Sequence, residues 1–310
     1  MSINKNMRFL ITGAGGDIGE SIARILLLSG IEKENLIGCD CEEYNRHGLF
    51  FGAVDKLISA EMPFYYNELS DLVKKHNIDC IIPSTEQEIS ALIRCKKVCG
   101  APVISANQHA VLIGLNKLKT AYFLEKRGLN FPKTSSKIEK WFDYPIIVKP
   151  KIGRGSNGVF IANREKDIGL EITDSSIFQE YLFGDEYTCG VYRTKDHEVR
   201  TIVFKRVLRG GLTQFGEVYD NSDIDDYLTK VTDLLNLQGS INIQLILTDR
   251  GPVIFEINTR FSSTVMFRHQ LGFTDLLWSL SETFGGIVGD WNHDAIIGKK
   301  IYRGTQEHVF

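Results

Sequence analysis

Over the first hundred residues, apolar positions form short unbroken blocks separated by stretches where they recur every three or four residues. "MRFLITG" and "NLIGCD" are blocks of the first kind and predict buried strands. "DIGESIARILLLSG" lies between them with helical spacing and Gly30 at its end, which predicts an amphipathic helix. The alternation continues with a helix in "NELSDLVKKHN", a strand in "IDCIIPS", a helix in "EQEISALIRCKKVCG" closed by Gly100, and a strand in "APVIS". Repetition of this kind calls for a parallel sheet covered on both faces.

From about residue 107 the texture changes. "NQHAVLIGLNKLKTAYFLEKRG" predicts one or two helices ending at Gly128, and "YPIIVKP", "GVFIAN" and "SIFQEYL" predict strands. "EYTCGVYRTKDHEVRTIVFKRVL" reads as a hairpin, "DIDDYLTKVTDLLNL" as a helix, "INIQLILTDRGPVIFEIN" as a second hairpin, and the end is helical around "FTDLLWSLSETFGG". Strands in hairpins with helices between them suit an α+β arrangement.

Composition narrows the functional classes. The chain has 310 residues, 43% of them hydrophobic, which is material for two or three soluble domains. A formal charge of −3 and a pI near 6.2 argue against a nucleic-acid partner. No apolar run is long enough to span a bilayer, and "MSINKNMRFL" has neither the apolar core nor the cleavage site of a signal peptide. A cytoplasmic protein with no membrane partner is expected. The six cysteines form no C-x-x-C pair and no zinc spacing. Cys95 and Cys99 share a face of the predicted helix and are expected to be small buried thiols, without disulfides.

Two glycine-rich loops are candidates for holding phosphate. "TGAGGDIG", Thr12 to Gly19, joins a strand to a helix and fits T-G-x-x-G-x-x-G, with Asp40 at the end of the next strand. With Tyr122 and Lys126, spaced Tyr-x-x-x-Lys, it makes a short-chain-dehydrogenase-like NAD(P) enzyme an alternative. A tight strand-to-helix turn needs glycine in any case. The second loop, "VKPKIGRGSNGV", has Lys149 and Lys151 at the end of a strand, then Gly153, Gly155, Ser156 and Gly158. It runs strand to strand without G-K-[ST], so its backbone N–H groups and lysines, rather than a helix N-terminus, are what it offers a phosphate.

The sharpest signal is "GPVIFEINTRFSS", residues 251–263. After an apolar start it places Glu256, Asn258 and Arg260 at alternate positions, hence on one face of a strand. A hairpin tip at Asp249-Arg250-Gly251 sets Gln244 opposite Glu256 and Asn242 opposite Asn258; a tip one residue longer separates Gln244 and Glu256 onto opposite faces. The resulting patch offers hard oxygens, which suit Mg²⁺ completed by water and nucleotide phosphates, with Arg260 placed to neutralise a transferring phosphoryl group. A solvated polar face has no need of the amides.

Taken in order, these segments resemble an ATP-grasp enzyme, and within that superfamily the carbamoyl-phosphate synthase large chain. Lys117 in "NKLKTAYFLEKRGLNFPKT" and Lys149 in "YPIIVKP" resemble the family's two phosphate-contacting basic residues, with Lys151 and the lid loop 153–158 (Gly155 and Ser156 included) beside them. "FQEYLFGDEYT" resembles the hinge: Gln179, Glu180, Tyr181 and Leu182 would line adenine, and Glu186 would take the ribose hydroxyls. "FEINTRFSS" resembles the metal strand, with Gln244, Glu256 and Asn258 as ligands and Arg260 as a catalytic residue beside Lys117 and Lys149. Asn116 and Thr259 depart from the usual Asp and Pro without removing a ligand.

The resemblance implies a glycine-turn α/β domain over 1–108, a linker helix and small lobe over 109–182, and a large lobe over 183–310. It implies ATP and magnesium, two ions being expected and manganese a substitute, and a ligase that joins a small carboxylate to an amine or ammonia through an acyl phosphate. A non-catalytic ATP-binding regulator and an acyl or carbamate kinase are alternatives within the same fold, and a homodimer is left open. For the acid, "KRVLRGGLTQFGE" offers Arg206, Arg209, Gly210 and Gly211, and Arg268 lies eight residues beyond Arg260. A basic surface loop is the competing account of residues 205–217.

Overall fold

The computed structural model describes residues 4–42, 49–140, 142–153, 158–169 and 175–304. The first unit contains β1 (Phe9–Thr12), α1 (Asp17–Leu28), β2 (Leu36–Asp40), β3 (Ala53–Lys56), α2 (Tyr65–Lys75), β4 (Cys80–Ile82) and α3 (Glu86–Leu92), followed by the short pair β5 (Lys97–Val98) and β6 (Ala101–Pro102). Its four main strands are parallel in the order β3-β2-β1-β4. Every residue of β1 is buried, as expected of a strand covered on both faces.

Two expectations fail here. The helix of residues 86–100 stops at Leu92, because Val98 is needed in the core and Cys99-Gly100 turns the chain back as a hairpin. Both residues of that turn have positive φ, 48° and 93°, the conformation of a tight two-residue hairpin turn. Cys99 is therefore an exposed turn residue, not a buried thiol sharing a helical face with half-buried Cys95. β3, half-buried over its first three residues and exposed at Lys56, offers no apolar block to read.

The second unit follows as α4 (Gln108–Gly114), α5 (Lys117–Glu125), β7 (Thr134–Ser135), β8 (Ile146–Pro150), β9 (Phe160–Ala162) and β10 (Ser176–Glu180), with strand order β7-β10-β8-β9. The third comprises β11 (Asp185–Arg193), β12 (Val199–Arg209), β13 (Leu212–Val218), α6 (Ser222–Leu234), β14 (Gly239–Thr248), β15 (Gly251–Asn258), α7 (Val265–Gln270), α8 (Asp275–Thr283) and β16 (Lys300–Tyr302). Its antiparallel sheet runs β15-β14-β11-β12-β13-β16. The basic stretch 205–217 is no loop: β12 extends to Arg209, Gly210 and Gly211 turn it at φ 59° and 77°, and β13 returns.

The two faces of this large sheet have different tasks. One carries Cys189, Val191, Val203, Ile241, Ile243 and Ile257 into a core shared with α4, α5 and α6. The other starts apolar, with Tyr192, Ile202 and Phe204 packed on Phe267, Phe273 and Trp278 of the α7–α8 region. Along the same face it becomes polar, through Thr188, Asn242 and Gln244. Beside this polar end, Phe261, Val265 and Met266 share a core with Ile22 and Leu26 of α1. Burying apolar side chains of this size stabilises by about 1.5–3 kcal/mol each, so the parallel-sheet unit is fastened against the α7–α8 segment that follows the large sheet's β15. A cleft opens between that unit and the large sheet. Among the described residues, no helix is long and apolar enough to cross a membrane.

Candidate active site

The hairpin of β14 and β15 pairs Gln244 with Glu256 and Asn242 with Asn258. The tip is shorter than expected, however: Thr248 pairs with Gly251, so only Asp249 and Arg250 form it. Gly251 supplies the positive φ there, 87°, and Thr248 Oγ1 accepts from the Arg250 N–H at 3.1 Å. A two-residue tip alone would set Gln244 opposite Phe255 and turn Glu256 away. A β-bulge between Gln244 and Leu245 absorbs Phe255 as the extra residue and restores the pairing. The Phe255 carbonyl accepts from Lys149 Nζ at 3.4 Å, and the ammonium stands 5.5 Å from the centre of the Phe255 ring.

Lys117 and Lys149 converge on this point. Lys117 Nζ lies 3.0 Å from Glu256 Oε1 and donates to the Gly153 carbonyl at 2.9 Å. Asn116 caps α5, its Oδ1 accepting from the Leu118 and Lys119 N–H groups at 3.0 and 3.1 Å. An amide serves as well as a carboxylate at an N-cap, so the departure from Asp leaves Lys117 held at the helix start. Burial, and the nearby Lys117, pull the Lys149 ammonium down to about 8 against the opposing pull of Glu256. Burial would raise the Glu256 carboxyl, but Lys117, Lys149 and Arg260 outweigh it and hold the group below the usual carboxylate range. Glu256 is thus an anion at neutral pH.

A cleft of about 570 Å³ runs from the glycine turn to this hairpin. Gln244, Glu256, Asn258 and Arg260 line one side, and Gly15, Gly16, Asp40 and Glu86 line the other. Glu86, which the sequence reading did not single out, reaches across so that its Oε1 lies 3.5 Å from Arg260 Nε. It sits in the first turn of α3 behind the Thr85–Glu88 capping box, and that motif was the available signal. Arg206 also lines the cleft, its Nε donating to Glu186 Oε1 and its Nη2 to Gln244 Oε1, both at 3.0 Å.

Lys117, Lys149 and residues 179–182 do not line that cleft. Gln179 is buried and donates to Thr134 Oγ1 at 2.9 Å. The Glu180 carboxylate accepts from the Lys133 N–H at 3.0 Å and from Arg250 at 2.8 Å. Leu182 is buried, and Tyr181 packs edge-on against Phe183. The main-chain carbonyl of Lys151 accepts from the Lys117 N–H at 2.9 Å. Gly155 and Ser156 lie outside the described residues.

Three substrate expectations do not fit. Arg268 is fully buried, paired with Asp275 at 3.3 Å and laid across Gly190, so it forms no part of the cleft wall. Arg209 and Gly210 stand at the exposed tip of the β12–β13 hairpin and off the cleft, while Gly211 lines it. Only Leu208, Gly211 and Leu212 of that end of the hairpin reach the cleft beside Arg206. Tyr122 and Lys126 also fail to join the glycine turn on the cleft. There, Asp40 Oδ2 accepts from the turn's own Gly15 N–H at 2.8 Å, and a Cβ on Gly19 would stand 2.5 Å from the Gly13 carbonyl. Packing requires glycine at 13 and 19 without any ligand.

The model of the ATP-grasp domain family matches residues 115–264, which include Lys117, Lys149 and the whole β14–β15 hairpin. Over that stretch the chain resembles an ATP-grasp domain. It is 26% identical over 192 residues to a D-alanine–D-alanine ligase of Phocaeicola vulgatus, covering 52% of this chain and 59% of the relative. To the arginine-specific carbamoyl phosphate synthase large chain of Geobacillus stearothermophilus it is 25% identical over 138 residues, 39% of this chain and 13% of that one. The chain spans about half the length of the D-alanine–D-alanine ligases it matches. The ADP complex of N5-carboxyaminoimidazole synthetase from Staphylococcus aureus superposes with a TM-score of 0.72 at 15% identity, covering 93% of this chain and 81% of that one. At that identity the likeness bears on the fold alone.

Proposed function

We propose that this chain is an ATP-dependent ligase that joins a carboxylic acid to an amine or ammonia through an acyl phosphate, releasing ADP and phosphate. The observation that carries the proposal is the bulged hairpin, which sets Gln244, Glu256, Asn242 and Asn258 in paired rows beside Lys117 and Lys149. Among the described residues, no cluster of three or more His, Cys, Asp or Glu could hold a metal. One anionic carboxylate flanked by amide oxygens instead fits Mg²⁺, which takes few protein oxygens and shares the rest with phosphates. Glu256, Gln244 and Asn258 would hold it, and it would supply charge neutralisation for the triphosphate.

In this reading Gln179 to Leu182 receive the adenine and Glu186 the ribose, while Lys117, Lys149 and Lys151 with loop 153–158 receive the phosphates. A carboxylate oxygen of the acid attacks the γ-phosphorus, the bond to the bridging oxygen breaks, and ADP and an acyl phosphate form. The amine nitrogen then adds to the acyl carbon, loses its proton, and expels phosphate as the amide forms. The residues do no covalent work. Lys117, Lys149 and Arg260 hold charge where it develops, and the cleft wall, Arg206 and Gly211 included, orients the acid. The cytoplasm, where ATP is abundant, suits such an enzyme.

The test is ADP release over a panel of acids and amines, with Glu256→Gln as the control that keeps the shape and removes the charge. Acid-dependent ADP release that the variant loses is expected. Full activity in Glu256→Gln would overturn the proposal, as would a thermal shift with NADPH and none with ATP and Mg²⁺.

A further inference from the structure

Arg206 holds two groups that the proposed function assigns to other partners. Its guanidinium bridges diagonally across β11, bonding Glu186 on that strand and Gln244 on β14. The side chain is only 7% exposed in this arrangement, yet it borders the cleft. We infer that Arg206 is a carboxylate-recognition residue released by the nucleotide, so that the acid gains its binding group after Mg·ATP has bound.

The inference rests on the ligase reading and follows from charge and occupancy. The Gln244 oxygen that would face Mg²⁺ accepts from Arg206 at 3.0 Å. A divalent cation sits about 2.0–2.1 Å from its oxygen ligands, so ion and guanidinium cannot share that oxygen without bringing two cations together. The ribose hydroxyls compete in the same way for Glu186. With both acceptors taken, Arg206 keeps a buried charge with no partner, which is unfavourable until it finds another anion. The space beside it is the cleft, where Asn258, Arg260 and Ser262 also face. A planar guanidinium matches a carboxylate there with two parallel hydrogen bonds.

Phenylglyoxal, which modifies accessible guanidinium groups, reads the release directly, with peptide mass spectrometry locating the site. Saturating Mg·ATP is expected to speed modification of Arg206 several-fold while leaving Arg200, bonded to Glu198 and Gly289, unchanged. Calorimetry on the same samples is expected to give Arg206→Met and Arg206→Lys a Kd for Mg·ATP equal to or tighter than wild type. Unchanged or slowed modification under saturating nucleotide overturns the inference. So does a tenfold weaker Kd in both folded variants, since the arginine would then be a nucleotide ligand. Failure of the wild-type protein to bind Mg·ATP would instead remove the ligase reading beneath it.

Discussion

Lys149 offers a quantitative test of how the site handles phosphate. The residue is 5% exposed on β8, and burial with Lys117 close by lowers its ammonium to about 8. A triphosphate beside it stabilises the charged form and returns the group to an ordinary lysine value. Binding must then take up a proton wherever the empty site holds the neutral amine. At pH 8.5 a group titrating near 8 is about three-quarters neutral, which predicts uptake of about 0.75 proton per Mg·ATP; at pH 7 the figure is about 0.1. Calorimetry of Mg·ATP binding in two buffers of different ionisation enthalpy measures this uptake. Lys149→Met is expected to abolish it. Because the folded value lies below the unfolded one, the unfolded chain binds more protons between about pH 8 and pH 10.5, and stability from this group rises with pH across that window. No uptake at pH 8.5, or the same uptake in Lys149→Met, would refute the reasoning.

Other consequences follow from single contacts. Asn116→Ala removes the cap that takes two N–H groups of α5 and is expected to cost about 1 kcal/mol in urea unfolding, with Asn116→Asp near neutral. Gly190→Ala puts a Cβ 2.5 Å from Arg268 Cδ and is expected to destabilise by about 1–3 kcal/mol; an unchanged melting temperature would mean the buried arginine has room to move. Glu256→Ala leaves Lys117 and Lys149 facing each other without their carboxylate, so it should lower thermal stability, and adding Lys117→Met should restore much of the loss.

Much of the fold was legible because its signals are local. Apolar blocks and helical spacing located β1, β2, β4, α1, α2 and both long hairpins, and the β14–β15 hairpin announced its polar face through Glu256, Asn258 and Arg260 at alternate positions. What escaped depends on tertiary context. The correct pairing of Gln244 with Glu256 was reached through the wrong tip: a shorter turn and a bulge at Phe255 give the same register, and alternation alone cannot tell the two apart. Residues 93–99 continue the helical spacing, but Val98 is claimed by a core that the sequence does not display. Arg268 sits near Arg260 along the chain, and only the packing of α7 over Gly190 shows that it points into the protein. Glu86 enters the cleft from a different unit, 174 positions before Arg260, a juxtaposition no spacing rule supplies.

The central claim is that an acyl phosphate forms in the cleft between the glycine turn and the bulged hairpin. Hydroxylamine captures such an intermediate as a stable hydroxamate. Incubating the protein with Mg·ATP, hydroxylamine and a panel of carboxylic acids should yield hydroxamate and ADP in equal amounts for the acid that fits, and neither product with Glu256→Gln. ADP released without hydroxamate, or hydroxamate formed equally well by the variant, would contradict the account.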